Sequence, residues 1–204
     1  MKKLVKWIYN RFVRSRQRVL ERKMSIRTKS LKENEESDLQ RWKKTDELKD
    51  DWSQRTHVMS TFLSTSTNII EFGAGNMYLK SVLGKEQNYT PSDLVKRFDE
   101  TIICDLNNPI EIDLTPYDAA VFSGVLEYVY NLDLVFKKLH EDQVAKVVLS
   151  YACSDRVNLS RSANGWLSDY TLNDIKLLID RYDYIILDYK EWRDQSIFNL
   201  SLNN

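Results

Sequence analysis

Apolar positions from residue 68 onward form short runs that alternate with stretches of helical spacing. The runs at 68–72, 88–92, 101–104, 118–123, 145–151, 184–190 and 196–202 are rich in apolar and β-branched residues, which is typical of strands. Apolar residues at helical spacing predict helices near 76–83, 131–140 and 171–181. Strands that alternate with helices indicate an α/β fold built on a largely parallel sheet.

The last two strands are connected differently from the others. Only residues 191–195 separate them, and a parallel connection needs a crossover of a dozen or more residues. These two strands must therefore form a hairpin, so we predict a mostly parallel sheet of seven strands that contains one antiparallel strand.

The chain before residue 68 shows two further helical patterns. Residues 3–14 predict an amphipathic helix, with these apolar positions on one face: Leu4, Val5, Ile8, Tyr9, Phe12 and Val13. A polar stretch at 33–38 predicts a linker, and residues 38–63 read as helix again. We therefore divide the chain into a helical arm with its linker, residues 1–37, and a domain at 38–204. The domain has a helical lead-in at 38–63 and a sheet core at 68–202.

Charge sets the helical arm apart from the domain. The whole chain has 30 basic and 30 acidic residues, but residues 1–32 hold twelve Lys and Arg and a single acid. Residues 1–32 therefore carry +11 and residues 33–204 carry −11. A basic helix with Trp7 and Phe12 as apolar anchors predicts contact with an anionic membrane surface. A solvated arm and RNA binding remain alternatives, and nucleic acid is less favoured because aromatic residues do not interleave with the basic ones.

The two cysteines indicate neither a disulfide scaffold nor a metal site. Cys104 and Cys153 have neither the number nor the spacing of a disulfide scaffold or a zinc site, so we expect no metal. Free thiols favour a reducing compartment, and no apolar run reaches the roughly 18 residues of a membrane span. We expect a cytoplasmic protein, with peripheral membrane association through residues 1–32.

The most informative segment for chemistry is Glu71-Phe-Gly73-Ala74-Gly75, which follows the first strand. The chain contains only five glycines, and two of them lie here. Glycine permits a sharp turn and the close approach of a ligand to the backbone. A strand that ends in such a turn and leads into a helix indicates a nucleotide-cofactor site.

Acidic residues follow the next strands as well. Asp93 ends the second strand and Asp105 the third, while Ser123 ends the fourth and Glu127 lies a few residues beyond it. Because the carboxyl ends of parallel strands meet at one edge of the sheet, we expect these groups around one crevice. Asp93 lies where a ribose-binding carboxylate belongs, and an acidic crevice suits a cofactor that carries a positive charge.

These four strand ends together resemble the class I S-adenosylmethionine-dependent methyltransferases over roughly residues 55–202. The segment 71–75 is similar to the first motif of that family, and Ser123-Gly124-Val125-Leu126-Glu127-Tyr128 is similar to its fourth. The resemblance implies a Rossmann-like three-layer sandwich with the predicted hairpin and a helical N-terminal extension. It also implies S-adenosyl-L-methionine as the cofactor, bound by the following residues: Glu71, Gly73, Ala74, Gly75, Asp93, Asp105, Leu106 and Ser123.

The resemblance also implies where the methyl acceptor would lie. Glu127 and Tyr128 are the catalytic candidates, as a base for a hydroxyl acceptor, and Arg161 and Trp166 are the candidates for substrate contact. The chain departs from the family at Met77, where a third glycine is usual, and this predicts a looser approach of the following helix. It departs again between the second and third strands, where the connection is too short for a helix.

The function expected from this resemblance is methyl transfer to an O or N acceptor, such as a glycan or a small metabolite. Two alternatives remain open. A nicotinamide-dependent oxidoreductase would share the glycine turn and the acid about 20 residues later, although Tyr78 replaces its third glycine. The second alternative is a methyltransferase-like module without catalytic activity, which binds a partner through its basic arm.

Overall fold

The protein was analysed as a computed structural model that describes residues 2–44, 48 and 50–203, without the side chains of residues 2–10, 12 and 50. Its strands are β1 (Asn68–Phe72), β2 (Asn88–Asp93), β3 (Ile102–Ile103), β4 (Ala119–Phe122), β5 (Lys146–Tyr151), β6 (Tyr184–Trp192) and β7 (Gln195–Leu202). Its helices are α1 (Lys2–Asn34), α2 (Leu39–Trp42), α3 (Ser53–Ser60), α4 (Tyr78–Val82), α5 (Leu132–Glu141), α6 (Arg161–Asn164) and α7 (Leu172–Arg181). Short 3₁₀ turns lie at Asp50–Trp52 and Leu126–Tyr128.

The seven strands form one sheet in the order β3-β2-β1-β4-β5-β7-β6. All pairs from β3 to β5 are parallel, and β7 runs antiparallel to both of its neighbours. The predicted mostly parallel sheet and its terminal hairpin are therefore confirmed. The chain order reverses between β1 and β4, which makes this the switch point of the sheet.

Alternate residues of the central strands supply the two cores. Ile70, Phe72 and Phe122 are fully buried on the side covered by α5 and α7. Ile69 and Val121 point the other way, toward α3 and α4. Burial on both faces explains why these strands read as continuous apolar runs rather than alternating ones.

The N-terminal region differs in detail from its prediction. α1 continues for 33 residues and ends only at Asn34, inside the predicted linker. The lead-in at 38–63 is split into α2, a 3₁₀ turn and α3, while its residues 45–47 and 49 lie outside the described part. α2 is short because Asp38 caps its start and the Arg97 side chain binds the carbonyl of Trp42 at its end. Of the predicted apolar face at residues 3–14, only Val13 has a described side chain, and it is exposed.

The C-terminal part of α1 is fastened to the domain. Thr28 is fully buried, and its hydroxyl donates to the carbonyl of Ser162 in α6 at 2.8 Å. The Tyr130 hydroxyl also lies within hydrogen-bond distance of the carbonyls of Leu31 and Glu36, at 2.6 and 2.9 Å. As its length predicted, the β2–β3 connection forms no helix, and Arg97 in that connection donates to the carbonyl of Trp42 in α2. No helix among the described residues has the length and apolar character needed to cross a membrane.

The capping box at the start of α7 gives a stability prediction. The Thr171 hydroxyl accepts from the backbone N–H of Asp174, and the Asp174 carboxylate accepts from the backbone N–H of Thr171. Thr171→Ala should therefore lower the free energy of unfolding by about 1 kcal/mol, measured by urea denaturation. The control is Asn173→Ala, at an exposed position in the same turn, which should cost nothing. Equal losses in both variants would contradict a role of the cap.

Candidate functional site

A cleft of about 1090 Å³, counting the space open to solvent, lies where β1, β2, β3 and β4 end. The structure brings together all eight residues that the sequence predicted for cofactor binding, and each lines this cleft: Glu71, Gly73, Ala74, Gly75, Asp93, Asp105, Leu106 and Ser123. They come from the ends of four strands that are neighbours in the sheet. The cleft is therefore one site at the switch point, where ligands of open α/β sheets bind.

The turn after β1 passes between β2 and the chain that follows β4. Gly73 adopts a φ of 70°, and a Cβ built there would lie 2.7 Å from the Cβ of Val125. The Ala74 N–H donates to the carbonyl of Ser92 at 3.0 Å, and the Gly75 N–H donates to the Asp93 carboxylate at 2.8 Å. The turn is thus fixed to β2 by backbone contacts, with only glycine tolerated at its tightest point.

Glu71 is a buried carboxyl at the end of β1, with 3% of its surface exposed. Its Oε2 accepts a hydrogen bond from the Tyr89 hydroxyl at 2.6 Å. Burial raises the pKa of Glu71 to about 8, the Asp93 charge raises it further, and Tyr89 and Arg55 act in the opposite direction. Near neutral pH this carboxyl therefore holds its proton in the free protein, and a bound cation would favour its ionised form.

Asp93 is the acid at the end of β2, and its carboxylate already accepts hydrogen bonds from the protein. Besides Gly75 it accepts from the Val95 N–H at 3.0 Å and from Arg97 Nη1 at 3.2 Å. Arg97 also donates to the carbonyl of Trp42, so it bridges this acid to the end of α2. Asp93 is oriented by these contacts before any ligand arrives.

Asp105, after β3, connects the cleft to the N-terminal region in a second way. Its Oδ1 accepts from the Ser37 hydroxyl at 2.6 Å and from the Asn107 N–H at 3.0 Å. The Asn107 side chain donates both to Ser37 and to the carbonyl of Tyr128. Ser37 and Trp42 consequently form the cleft wall on the β3 side.

Arg55 is a cleft residue that the sequence reasoning missed. It lies on α3 with 6% of its surface exposed, and it donates from Nε to the Ser123 hydroxyl at 3.1 Å and from Nη2 to the Ser123 carbonyl at 3.0 Å. Burial lowers the pKa of its guanidinium. A single arginine in a helix ahead of the sheet belongs to no motif, so only the packing of α3 against β4 reveals it.

Tyr128 also lines the cleft, whereas three other predicted residues lie outside it. The Tyr128 ring packs edge-on against Trp42, with centroids 4.9 Å apart, and burial raises the pKa of its phenol. Glu127 is buried behind the cleft, where Oε1 accepts from the Ala152 N–H and the Gln195 side chain. Arg161 and Trp166 stack on each other at 4.9 Å, away from the lining.

Comparison with solved structures identifies the architecture. The chain is similar to Burkholderia thailandensis 1,6-didemethyltoxoflavin-N1-methyltransferase, with a TM-score of 0.56 and 13% identity over 76% of this chain and 79% of the other. It is also similar to human N-acetylserotonin methyltransferase, with a TM-score of 0.60 and 12% identity over 80% and 56%. A third is an O-methyltransferase from neocarzinostatin biosynthesis, with a TM-score of 0.52 and 14% identity over 72% and 56%. The three were crystallised with S-adenosylmethionine or S-adenosylhomocysteine.

This chain has the class I methyltransferase fold. The likeness lies in the structure, since no protein-family model and no curated protein matches the sequence. The expected Rossmann-like sandwich with a helical N-terminal extension is thereby confirmed. The chain spans only about half the length of the human and neocarzinostatin enzymes.

Met77 is the departure from the methyltransferase pattern in the glycine turn. Its φ of 59° is left-handed, as a glycine would allow, and its N–H donates to the Ala74 carbonyl at 2.7 Å. The turn therefore keeps a glycine-like path at a strain of roughly 1 kcal/mol. The Met77 side chain is buried and is not part of the cleft lining.

The raised pKa of Glu71 predicts how stability depends on pH without ligand. Between pH 4.5 and about 8 the folded protein retains a proton that the unfolded chain releases, so the free energy of unfolding falls across this range and levels off above it. Glu71→Gln should remove this pH dependence. The free energy of unfolding should then fall less between pH 5 and pH 9, by on the order of 3 kcal/mol. Urea unfolding at several pH values measures it, with the exposed Glu86→Gln as control. Parallel pH profiles of Glu71→Gln and the natural protein would contradict the assignment.

Proposed function

We propose that this protein is an S-adenosylmethionine-dependent methyltransferase that acts on an oxygen or nitrogen of a small molecule or glycan. The observation that carries the proposal is the cleft itself, where residues from four neighbouring strand ends converge, three of them with a carboxylate. Carboxyl groups at these strand ends suit a cofactor that carries a sulfonium and an ammonium group, because a bound cation favours their ionised form. The O- and N-methyltransferases of similar fold support the reaction class.

The shape of the glycine turn also fits a bound nucleoside cofactor. Gly73 and Gly75 both take positive φ values, which side chains rarely adopt, and the turn lies in the floor of the cleft. A ligand there meets backbone rather than side chains. In this proposal Asp93 binds the ribose hydroxyls, while Asp105 and Leu106 lie beside the adenine.

The cofactor supplies an activated methyl group on its sulfur, so the protein has mainly to orient the acceptor and exclude water. Tyr128 is the predicted catalytic residue that reaches the cleft. Because burial raises the pKa of its phenol, its hydroxyl stays protonated and orients an acceptor as a hydrogen-bond donor. In this proposal Glu127 supports the site from behind, since its Oε1 joins the ends of β5 and β7 through Ala152 and Gln195.

Arg161 has a comparable supporting place in the proposal. Its guanidinium donates to the carbonyls of Ala152 and Ser168 and to the Tyr151 hydroxyl, at 2.5 to 2.9 Å. With Trp166 stacked on it, this arginine fixes the loop between β5 and α7. We propose that the pair shapes the acceptor side of the site through that loop.

Calorimetric titration tests the proposal, with S-adenosylmethionine, S-adenosylhomocysteine and NAD as ligands. We expect the two adenosyl ligands to bind and NAD to bind far more weakly. Asp93→Asn should weaken S-adenosylhomocysteine binding about 10- to 100-fold, because a hydrogen bond to a charged group is lost. Asp99→Asn, an exposed acid outside the cleft, is the matched control and should bind as the natural protein does.

The outcomes separate the three functions under consideration. Preferential binding of NAD would support the oxidoreductase, and binding of none of the three ligands would support a silent module. Equal affinity of Asp93→Asn and Asp99→Asn for S-adenosylhomocysteine would remove Asp93 from the site. Thermal melting of both variants shows whether an affinity loss comes from unfolding.

A further inference from the structure

Arg55 is a buried cation on which Glu127 and Glu71 act only from beyond hydrogen-bond distance. Its two hydrogen bonds both go to Ser123, a neutral residue, and use two of the five N–H donors of a guanidinium. In the part of the chain that the structure describes, no carboxylate lies within ion-pair distance of it. Buried charges in proteins are normally paired, so this group is suited to an anionic ligand.

The surroundings of Arg55 place it beside the cleft floor. Gly124, directly after Ser123, has a φ of 64°, and a Cβ built on it would overlap the Arg55 guanidinium. The absence of that side chain leaves room for the guanidinium between the end of β4 and the cleft. The rings of Trp52 and Trp192 lie over the guanidinium, each with its centroid 5.9 Å from Cζ, and shield it from water.

We propose that Arg55 binds the carboxylate of the amino-acid portion of the cofactor. This inference rests on the proposed function. If the adenosine portion lies over β2 and β3, beside Asp93 and Asp105, the sheet order puts the other end of the cofactor over β1 and β4. Arg55 is hydrogen-bonded to Ser123, directly after β4, which is that end. An arginine matches the planar carboxylate with two parallel hydrogen bonds.

The charges around Arg55 also fit the rest of that amino-acid group. Glu71 lines the same end of the cleft, and its carboxyl would complement the ammonium or sulfonium that accompanies the carboxylate. The site would then hold a zwitterion between one acid and one arginine. A dinucleotide offers no such paired group, so this arrangement discriminates between the cofactor classes.

Comparing S-adenosylmethionine with its decarboxylated form tests the contact, because the two share adenosine, sulfonium and ammonium. We expect the natural protein to prefer S-adenosylmethionine by on the order of 30-fold or more. Arg55→Met should abolish this preference, with both ligands binding equally, and Arg55→Lys should restore part of it. The ratio of affinities is measured within one variant, so it does not depend on that variant's overall stability.

An Arg55→Met protein that keeps the full preference would overturn the inference, because another group would then bind the cofactor carboxylate. A natural protein that binds neither ligand would instead defeat the proposed function. The urea midpoint of each variant is measured before titration, to verify that the variant is folded. The two failures are therefore distinguishable.

A separate observation concerns the exposed side of α1. Thr28 and Leu31 are buried against the domain, and the opposite side of the helix faces solvent. The residues of this outward face lie at helical spacing and are all exposed: Arg16, Arg18, Val19, Arg22, Lys23, Ile26 and Lys29. Val19 and Ile26, 51% and 63% exposed, form its middle row, and basic residues flank them on both sides. The face contains no acid between residues 15 and 30, and Glu33, the next residue along the middle row, pairs with Lys29 at 3.8 Å.

The geometry points to an anionic lipid surface as the partner of this outward face. The basic residues complement anionic headgroups, and the apolar middle row would enter the boundary between headgroups and acyl chains. A nucleic acid would gain little from Val19 and Ile26, because its phosphates require only the charges. The exposed apolar row therefore favours lipid.

Sedimentation with phosphatidylcholine vesicles, with and without 30% phosphatidylserine, tests this contact on the full chain. We expect binding only to the anionic vesicles, and a loss on the order of 100-fold in partitioning for the triple variant Arg18→Gln, Arg22→Gln, Lys23→Gln. The matched control neutralises three exposed lysines elsewhere, Lys85, Lys96 and Lys176, and should bind as before.

A second variant, Val19→Ser with Ile26→Ser, separates lipid from nucleic acid. It should weaken vesicle binding and leave binding to a duplex RNA probe unchanged. Equal binding of the natural protein to neutral and anionic vesicles would overturn the proposal. So would unchanged vesicle binding of the Val19→Ser, Ile26→Ser variant.

Discussion

The turn after β1 has to pass through a gap that admits no side chain, and the rest of the site depends on that constraint. Gly73 lies against Val125, and the next two residues are tied to β2 through Ser92 and Asp93. This one segment therefore joins three strand ends and sets the floor of the cleft. A larger residue at 73 would have to push the chain after β4 away from β1, which would open the switch point itself.

Charges in the cleft alternate along the edge of the sheet. Arg97 lies against Asp93, Glu71 is buried at the centre, and Arg55 lies at the end of β4. The first pair is matched within the protein, whereas no opposite charge among the described residues is in direct contact with Glu71 or Arg55. A ligand with a cation near β1 and an anion near β4 would neutralise both groups at once. The two groups therefore favour one orientation of the ligand in the cleft.

Much of this arrangement follows from local sequence. The strand-end residues could be predicted because parallel strands share one edge, so position along each strand fixes position around the cleft. Arg55 could not, since its role arises from the way α3 packs across β4. The position of Arg161 outside the cleft lining could not be predicted either. The carbonyls of Ala152 and Ser168 come together around its side chain only when the loop has folded. The end of α2 at Trp42 also depends on a distant partner, Arg97.

The missing helix between β2 and β3 has a consequence for the N-terminal region. Ser37 and Trp42 serve as the cleft wall there, and the same stretch of chain is continuous with α1, whose outward face lies in solvent. The wall is held by hydrogen bonds in which the Ser37 hydroxyl donates to Asp105 and the Arg97 side chain donates to the carbonyl of Trp42. These contacts connect the stretch after α1 to the two acids at the ends of β2 and β3. A ligand in the cleft would therefore lie against residues that also hold the end of the arm in place.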